Sequence, residues 1–151
     1  MSEATTKKIK TLREKTKAGV MDCRQALEET GGDLAKAEKW LRKKGIEAAA
    51  KRENRETSQG FIGSYLHHDG TKAALVALTT ETDFVARTKE FRELAKEIAM
   101  QTAAMKPKNV KELLAMAWIR DESRTIGDLV KELSGKTGEN IVLQEFKLME
   151  L

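Results

Sequence analysis

Apolar residues in the first 45 positions come three or four apart, in short groups separated by breaks rich in glycine and threonine. Ile9 and Leu12 open the first group, and Thr16-Lys17-Ala18-Gly19 interrupts it. In the second group Asp22 falls in the first turn, where a carboxylate meets the positive end of the helix dipole, and Leu27 lies on the inner face. Thr30-Gly31-Gly32 provides a C-terminal stop, and Asp33 a natural N-cap for a third helix. Leu34, Ala37, Trp40 and Leu41 form the apolar face of that helix, which Gly45 ends. The spacing therefore predicts a module of three short helices over residues 1–45.

So few apolar residues make such a bundle marginal alone. Its short turns resemble the ubiquitin-associated three-helix fold, a type of module that binds proteins more often than it performs chemistry. The chain divides near residue 55. Residues 46–58 are rich in Ala, Lys, Arg and Glu, with no large apolar side chain after Ile46, and read as a solvent-exposed, basic helical linker.

Past the linker the period changes to that of strands. Phe61 to His68 and Lys72 to Glu81 are strand-like, and His68-Asp69-Gly70-Thr71 between them is a hairpin signal. A long helix is predicted from about Thr88, with Phe91, Leu94, Ala95, Ile98, Thr102 and Met105 on one stripe. Phe84 lies before it, in the connecting turn. It is either a staple on the helix start or a probe offered to a partner, and local physics leaves both open. Pro107 forbids continuation of the helix, and Asn109 can cap a shorter one carrying Val110, Leu113, Leu114 and Ala117. Thr125 with Asp128 resembles a capping box ahead of Ile126, Leu129, Val130 and Leu133, and Ile141 to Leu151 reads as a third strand. Residues 59–151 thus form an α+β core with a small three-stranded antiparallel sheet and helices packed on one side.

Composition narrows the function. The chain has 151 residues, 34% charged and 40% apolar, which suits a folded globular protein. No apolar run approaches the roughly 18 residues that span a bilayer, and Met1-Ser2-Glu3-Ala4 lacks an apolar signal core. The single cysteine, Cys23, rules out an intramolecular disulfide framework and fits a reducing, cytoplasmic setting. Net charge is +4, from 28 basic and 24 acidic residues. The two signs are interleaved, as in Lys89-Glu90, Arg92-Glu93 and Lys96-Glu97, and aromatics are only 5%, so neither a positive stripe nor a base-stacking platform is visible.

Enzymatic signals are weak. Gly135-Lys136-Thr137 looks like the tail of a phosphate loop, but the required earlier glycine is Val130 and the preceding residues read as helix. His67 and His68, taken as adjacent strand residues, would point to opposite faces and so not share a metal. Cys23 lies among helix formers and reads as a packed thiol. No covalent catalysis, cofactor or metal is expected, and the chain reads as a binding protein rather than an enzyme.

Three segments carry a more specific signal. Leu12-Arg13-Glu14-Lys15-Thr16-Lys17-Ala18-Gly19-Val20-Met21-Asp22-Cys23 resembles the N-terminal signature of the elongation factor Ts family. Glu81-Thr82-Asp83-Phe84-Val85-Ala86 is similar to that family's core signature, and Gly138-Glu139-Asn140-Ile141-Val142 to its C-terminal one, in the family's order. The resemblance implies a guanine nucleotide exchange factor that binds elongation factor Tu, both GDP-bound and nucleotide-free, and promotes GDP release. By that resemblance Asp83 and Phe84, with Thr82 and Val85 beside them, meet the partner near its Mg²⁺ and phosphate site. Arg13, Val20, Met21 and Arg24 dock on a neighbouring helix, and Lys51 and Arg52 add polar contacts.

The chain departs from the family pattern in places. Lys17 stands where glycine is usual, Val20 replaces a common methionine, and Gln144-Glu145 occupy a place where two arginines are common. Only one core half is present, with Arg120 to Arg124 in the place of an inserted hairpin. Short relatives make up the missing half by pairing, so the resemblance implies a homodimer, with no membrane and no specific nucleic acid as partner. Two other readings stand beside it: an exchange-inactive relative that still binds elongation factor Tu, and a basic RNA- or ribosome-associated module.

Overall fold

Three helices come first in the computed structural model, which describes residues 3–151: α1 (Glu3–Thr16), α2 (Val20–Glu29) and α3 (Leu34–Ala50). Met1 and Ser2, half of the stretch read for a signal core, lie outside the described residues. The expected spacing produces the expected cluster. Ile9, Leu12, Cys23, Ala26, Leu27, Ala37 and Leu41 are buried together, with Leu34 and Trp40 packed at their edge. Gly31 and Gly32 both take positive φ after α2, and Asp33 caps α3 by accepting from the Lys36 N–H at 3.0 Å. Burial pushes the Cys23 thiol above its ordinary pKa, as it does for a packed, unreactive cysteine.

The sheet follows. Strands β1 (Gln59–Leu66) and β2 (Lys72–Thr80) form an antiparallel hairpin, and β5 (Ile141–Glu150) pairs antiparallel with β2, giving the order β1-β2-β5. Gly70 takes φ 73° in the turn. Strand β1 ends at Leu66, so His67 and His68 belong to the turn rather than to the strand. The strand alternation that would have sent them to opposite faces does not apply, and their rings lie 4.3 Å apart. Tyr65 Oη is 2.9 Å from His67 Nδ1.

Between β2 and β5 lie α4 (Asp83–Ala86), α5 (Lys89–Met105), α6 (Val110–Ala115), β3 (Ala117–Trp118), β4 (Asp121–Thr125) and α7 (Ile126–Thr137). Ala74, Val76, Leu78 and Thr80 line the covered face of β2, and α5 packs there through Phe91, Ala95, Ile98 and Thr102. Gly63 of β1 permits that approach, since a Cβ there would lie 2.5 Å from the Ala95 carbonyl carbon. Met105 falls at the exposed end of the stripe, where Lys106 enters the left-handed region and Pro107 follows. Asn109 caps α6 by accepting from the Glu112 N–H at 2.8 Å. Thr125 and Asp128 complete a capping box, each side chain accepting the other's backbone N–H at 3.0 Å.

Some elements differ from expectation. Ala117 is not on the α6 face but starts β3, which forms a separate two-stranded ribbon with β4. Gly45 does not end α3. The helix continues to Ala50 with Ala49 buried, because α3 crosses α7 where Gly45 meets Gly135. A side chain on Gly135 would come within 2.7 Å of the Gly45 Cα, so the crossing is close enough to override the glycine stop. The expected linker is correspondingly split. Its first residues finish α3, residues 51–55 form turns, and Arg52 and Arg55 reach back to donate to the Ser134 and Gly138 carbonyls at 3.3 and 3.4 Å.

Candidate functional site

Helix α4 is a single turn, and a single turn cannot bury all its faces. Ala86 is buried and Val85 packs at the edge of the main core, which leaves Phe84 facing outward with 81% of its surface exposed. Of the two readings of Phe84, the staple is therefore not what the structure adopts. Asp83 is half-exposed and pairs with Arg87 one turn on at 3.4 Å. Thr82 is the N-cap, accepting from the Val85 N–H at 3.4 Å.

This turn is held from a distant part of the chain. Glu139 Oε1 accepts from the Thr82 N–H and the Thr80 hydroxyl, both at 2.9 Å, and Oε2 accepts from the Thr82 hydroxyl at 2.7 Å. Burial pushes the Glu139 carboxyl pKa up, but hydrogen bonds from Thr82, Thr80 and the Glu81 amide outweigh it and hold the group below its ordinary value. The clasp is reciprocal, because Glu81 Oε1 accepts from the Asn140 N–H at 2.7 Å. Asn140 in turn donates from its amide to the Arg55 and Glu53 carbonyls at 2.7 and 3.3 Å. The core and C-terminal signatures thus form one hydrogen-bonded unit. Sequence reasoning placed Glu139, Glu81 and Asn140 in signatures but gave them no role; only their contact across the fold reveals it.

The N-terminal residues form a second group, resting on the helical cluster rather than on the sheet core. The Thr16–Gly19 loop is tied inward. Thr16 Oγ1 donates to the Leu12 carbonyl at 2.8 Å, and Arg13 Nε and Cys23 Sγ both point at the Ala18 carbonyl, at 3.3 and 3.8 Å. The start of α2 then projects Val20 and Met21 into solvent, Met21 with 70% of its surface exposed. Arg24 is beside them, paired with Glu28 at 3.0 Å. Lys51 caps α3 and is exposed, whereas Arg52 is half-buried and directed to Ser134. Arg52 is therefore part of the α3–α7 junction more than of an open surface.

Exposed apolar tips on braced backbone suit docking on another macromolecule. Among the described residues, no three His, Cys, Asp or Glu side chains converge to hold a metal, and no helix is long and apolar enough to cross a membrane.

Known proteins with similar sequences agree on one family. The family described as elongation factor TS matches residues 81–151, which include both the Phe84 turn and its Glu139 clasp. The elongation factor Ts of Myxococcus xanthus is 36% identical, over the whole of this chain and 90% of its own length. That of Nitratidesulfovibrio vulgaris is 40% identical over 97% of the chain and 96% of its own length. That of Oleidesulfovibrio alaskensis is 39% identical over 100% and 99%. These alignments run over 192 to 196 positions against a chain of 151 residues, so the relatives carry residues that this one lacks. With such identity along nearly the full length of both partners, the chain belongs to the elongation factor Ts family of translation elongation proteins.

Proposed function

We propose that this protein binds elongation factor Tu in its GDP-bound and nucleotide-free forms and accelerates GDP release, in the cytoplasm, without making or breaking a covalent bond. The observation that carries the proposal is the exposed phenyl ring of Phe84 on a turn braced by Glu139. A braced probe loses little conformational freedom on docking, so more of its burial energy is available to distort the partner. Burying a phenyl side chain contributes roughly 1.5–3 kcal/mol, and each ~1.4 kcal/mol is a factor of ten. Phe84 inserted near the Mg²⁺ and phosphate contacts accounts for about one to two decades of weakened GDP binding. By reciprocity, bound GDP weakens the factor's own binding by the same ratio.

Asp83 and the flanking Thr82 and Val85 fix the approach of the ring. Arg13, Val20, Met21 and Arg24 form the second docking surface, with exposed Lys51 adding a polar contact. Two attachment points on separate hydrophobic clusters let the protein brace against one part of its partner while it wedges another.

The test is stopped-flow release of a fluorescent GDP analogue from elongation factor Tu, with the parent protein and with Phe84→Ala. Rapid release that slows at least tenfold in the variant supports exchange through Phe84. Acceleration unchanged by the mutation keeps the function and removes Phe84 from the mechanism. A complex without acceleration makes the chain a binding-only relative.

A further inference from the structure

The basic excess of this chain has a location. A cavity of about 280 Å³ lies between the Thr16–Gly19 loop, α3 and α7, and its lining carries seven Lys or Arg side chains against three carboxylates. That net +4 equals the formal net charge of the whole protein, so the remainder of the surface is balanced.

The three carboxylates are already engaged. Asp22 pairs with Lys44 at 2.8 Å, and Glu38 with Arg42 at 3.8 Å. Glu132, buried at 8% exposure, is held by Arg124, with Arg42 at 3.6 Å. Lys15, Lys17 and Lys136 then have no ion pair among the described residues, and Arg52 has only the Ser134 carbonyl. Lys15 comes from the end of α1, Lys17 from the loop after it and Lys136 from α7, so the uncompensated cations line the cavity from two sides.

Lys17 is one of two non-glycine residues with positive φ among the described residues. Its φ is 59°, in the left-handed region where glycine is favoured and an L side chain is strained. Lys106 takes φ 52° after α5 in the same way, so the φ of Lys17 belongs to the closing turn of α1, where its N–H donates to the Arg13 carbonyl at 2.9 Å. What Lys17 brings to the cleft is a further cation in an already positive lining. Concave walls of one sign focus the field and attract a counter-ion. The volume lies just under the roughly 300–1,000 Å³ of pockets for drug-sized ligands, which suits a compact anion and not an extended chain.

We infer that this cavity is a binding site for an oligophosphate, either free or as the phosphate chain of a nucleotide, with Lys17 and Lys136 as its principal cations. The test is titration calorimetry of the full chain with sodium tripolyphosphate at low ionic strength. One site per chain is expected, weakened about tenfold or more in Lys17→Gly and in Lys136→Ala, since a charge-assisted contact is lost in each. The exposed Lys108→Ala should bind like the parent. Lys17→Gly relieves the backbone strain as it removes the charge, so its melting temperature should match or exceed the parent's, which separates lost binding from lost folding. A parallel titration with ATP identifies the source: equal affinity means that the phosphate chain suffices with a nucleoside attached, and binding of tripolyphosphate alone means a free oligophosphate. Absence of saturable binding overturns the inference. So does an equal loss in Lys108→Ala, which would reduce it to diffuse charge. Binding of a single-stranded oligoribonucleotide that depends on Lys17 and Lys136, with no binding of tripolyphosphate, would reassign the cleft to RNA.

Discussion

Glu139 grips Thr82 with both carboxylate oxygens, one on the backbone N–H at 2.9 Å and one on the hydroxyl at 2.7 Å, although the two residues are 57 positions apart. Thr82 is the N-cap of the turn that carries Phe84, so a side chain in the turn between α7 and β5 governs the backbone under an exposed probe. Glu139→Gln replaces an ionised acceptor with a neutral amide and should destabilise the fold by about 1–2 kcal/mol at pH 7. The pH dependence has a definite sign. The folded-state pKa of Glu139 is lowered, so its stabilisation is fully present above the ~4.3 of an unfolded glutamate and is lost as pH falls through the lower folded value. The stability gap between parent and Glu139→Gln, measured by urea unfolding, should therefore be constant from pH 7 to about 5 and narrow below about 4.

Two phenylalanines seven residues apart should respond very unequally to the same deletion. Phe91 is fully buried under the sheet, and Phe91→Ala should cost about 3–5 kcal/mol through lost burial and a cavity. Phe84→Ala removes an exposed ring and should shift unfolding by less than about 0.5 kcal/mol. Denaturant titrations of both variants check this. A large destabilisation by Phe84→Ala would mean that the ring packs on the protein after all.

The parts of this fold that the sequence discloses are those whose chemistry is local. Asp33, Asn109 and the Thr125–Asp128 pair each satisfy amides within three residues, so their side chains announce the helix starts without reference to the rest of the chain. Gly45 shows the opposite case. Its helix-stopping tendency is of the order of 1 kcal/mol, and packing against Gly135 overrides it; nothing near Gly45 identifies that partner. The β3–β4 ribbon is hidden for another reason. Asp121-Glu122-Ser123-Arg124-Thr125 has no apolar alternation, so it gives no strand signal. At the site, Phe84 is conspicuous as an aromatic in a turn, but its outward direction depends on Val85 and Ala86 turning inward onto a core assembled from remote segments. The Glu139 clasp is illegible for the same reason.

The α3–α7 crossing yields an asymmetric pair of predictions. A Cβ at Gly45 would meet the Gly135 Cα at 3.6 Å, ordinary contact, so Gly45→Ala should gain up to about 1 kcal/mol from helix propensity. A Cβ at Gly135 would lie 2.7 Å from the Gly45 Cα and 2.9 Å from its carbonyl carbon and oxygen. Backbone cannot swing aside as a flexible side chain does. Overpacking of about 1–3 kcal/mol should exceed the propensity gain, so Gly135→Ala is expected to lower the stability of the α3–α7 junction. Thermal unfolding of the two variants beside the parent reads the difference in sign.

One face of the sheet is covered by α5 and the other is open. Ile62 and Leu66 of β1, Leu75 of β2 and Met149 of β5 all project from the uncovered side, with Ala73 and Ala77 between them. In the register Ile62 pairs with Ala77 and Ala73 lies between Leu66 and Met149, while Ser64 and the Glu145–Lys147 ion pair share the face beside Leu75 and Ala77. Large apolar side chains exposed on an open sheet face favour a matching surface, and a second copy offers one by two-fold symmetry, with the Glu145–Lys147 pair at its polar side. The homodimer that the resemblance implies is therefore expected to pair sheet to sheet. Light scattering at tens of micromolar should give about twice the chain mass of 16.9 kDa. Ile62→Lys with Leu75→Lys should return a monomer that keeps its circular dichroism, because both positions face away from the core. A parent protein that is monomeric at that concentration would rule out this pairing; a dimer unaffected by the two lysines would move the interface elsewhere.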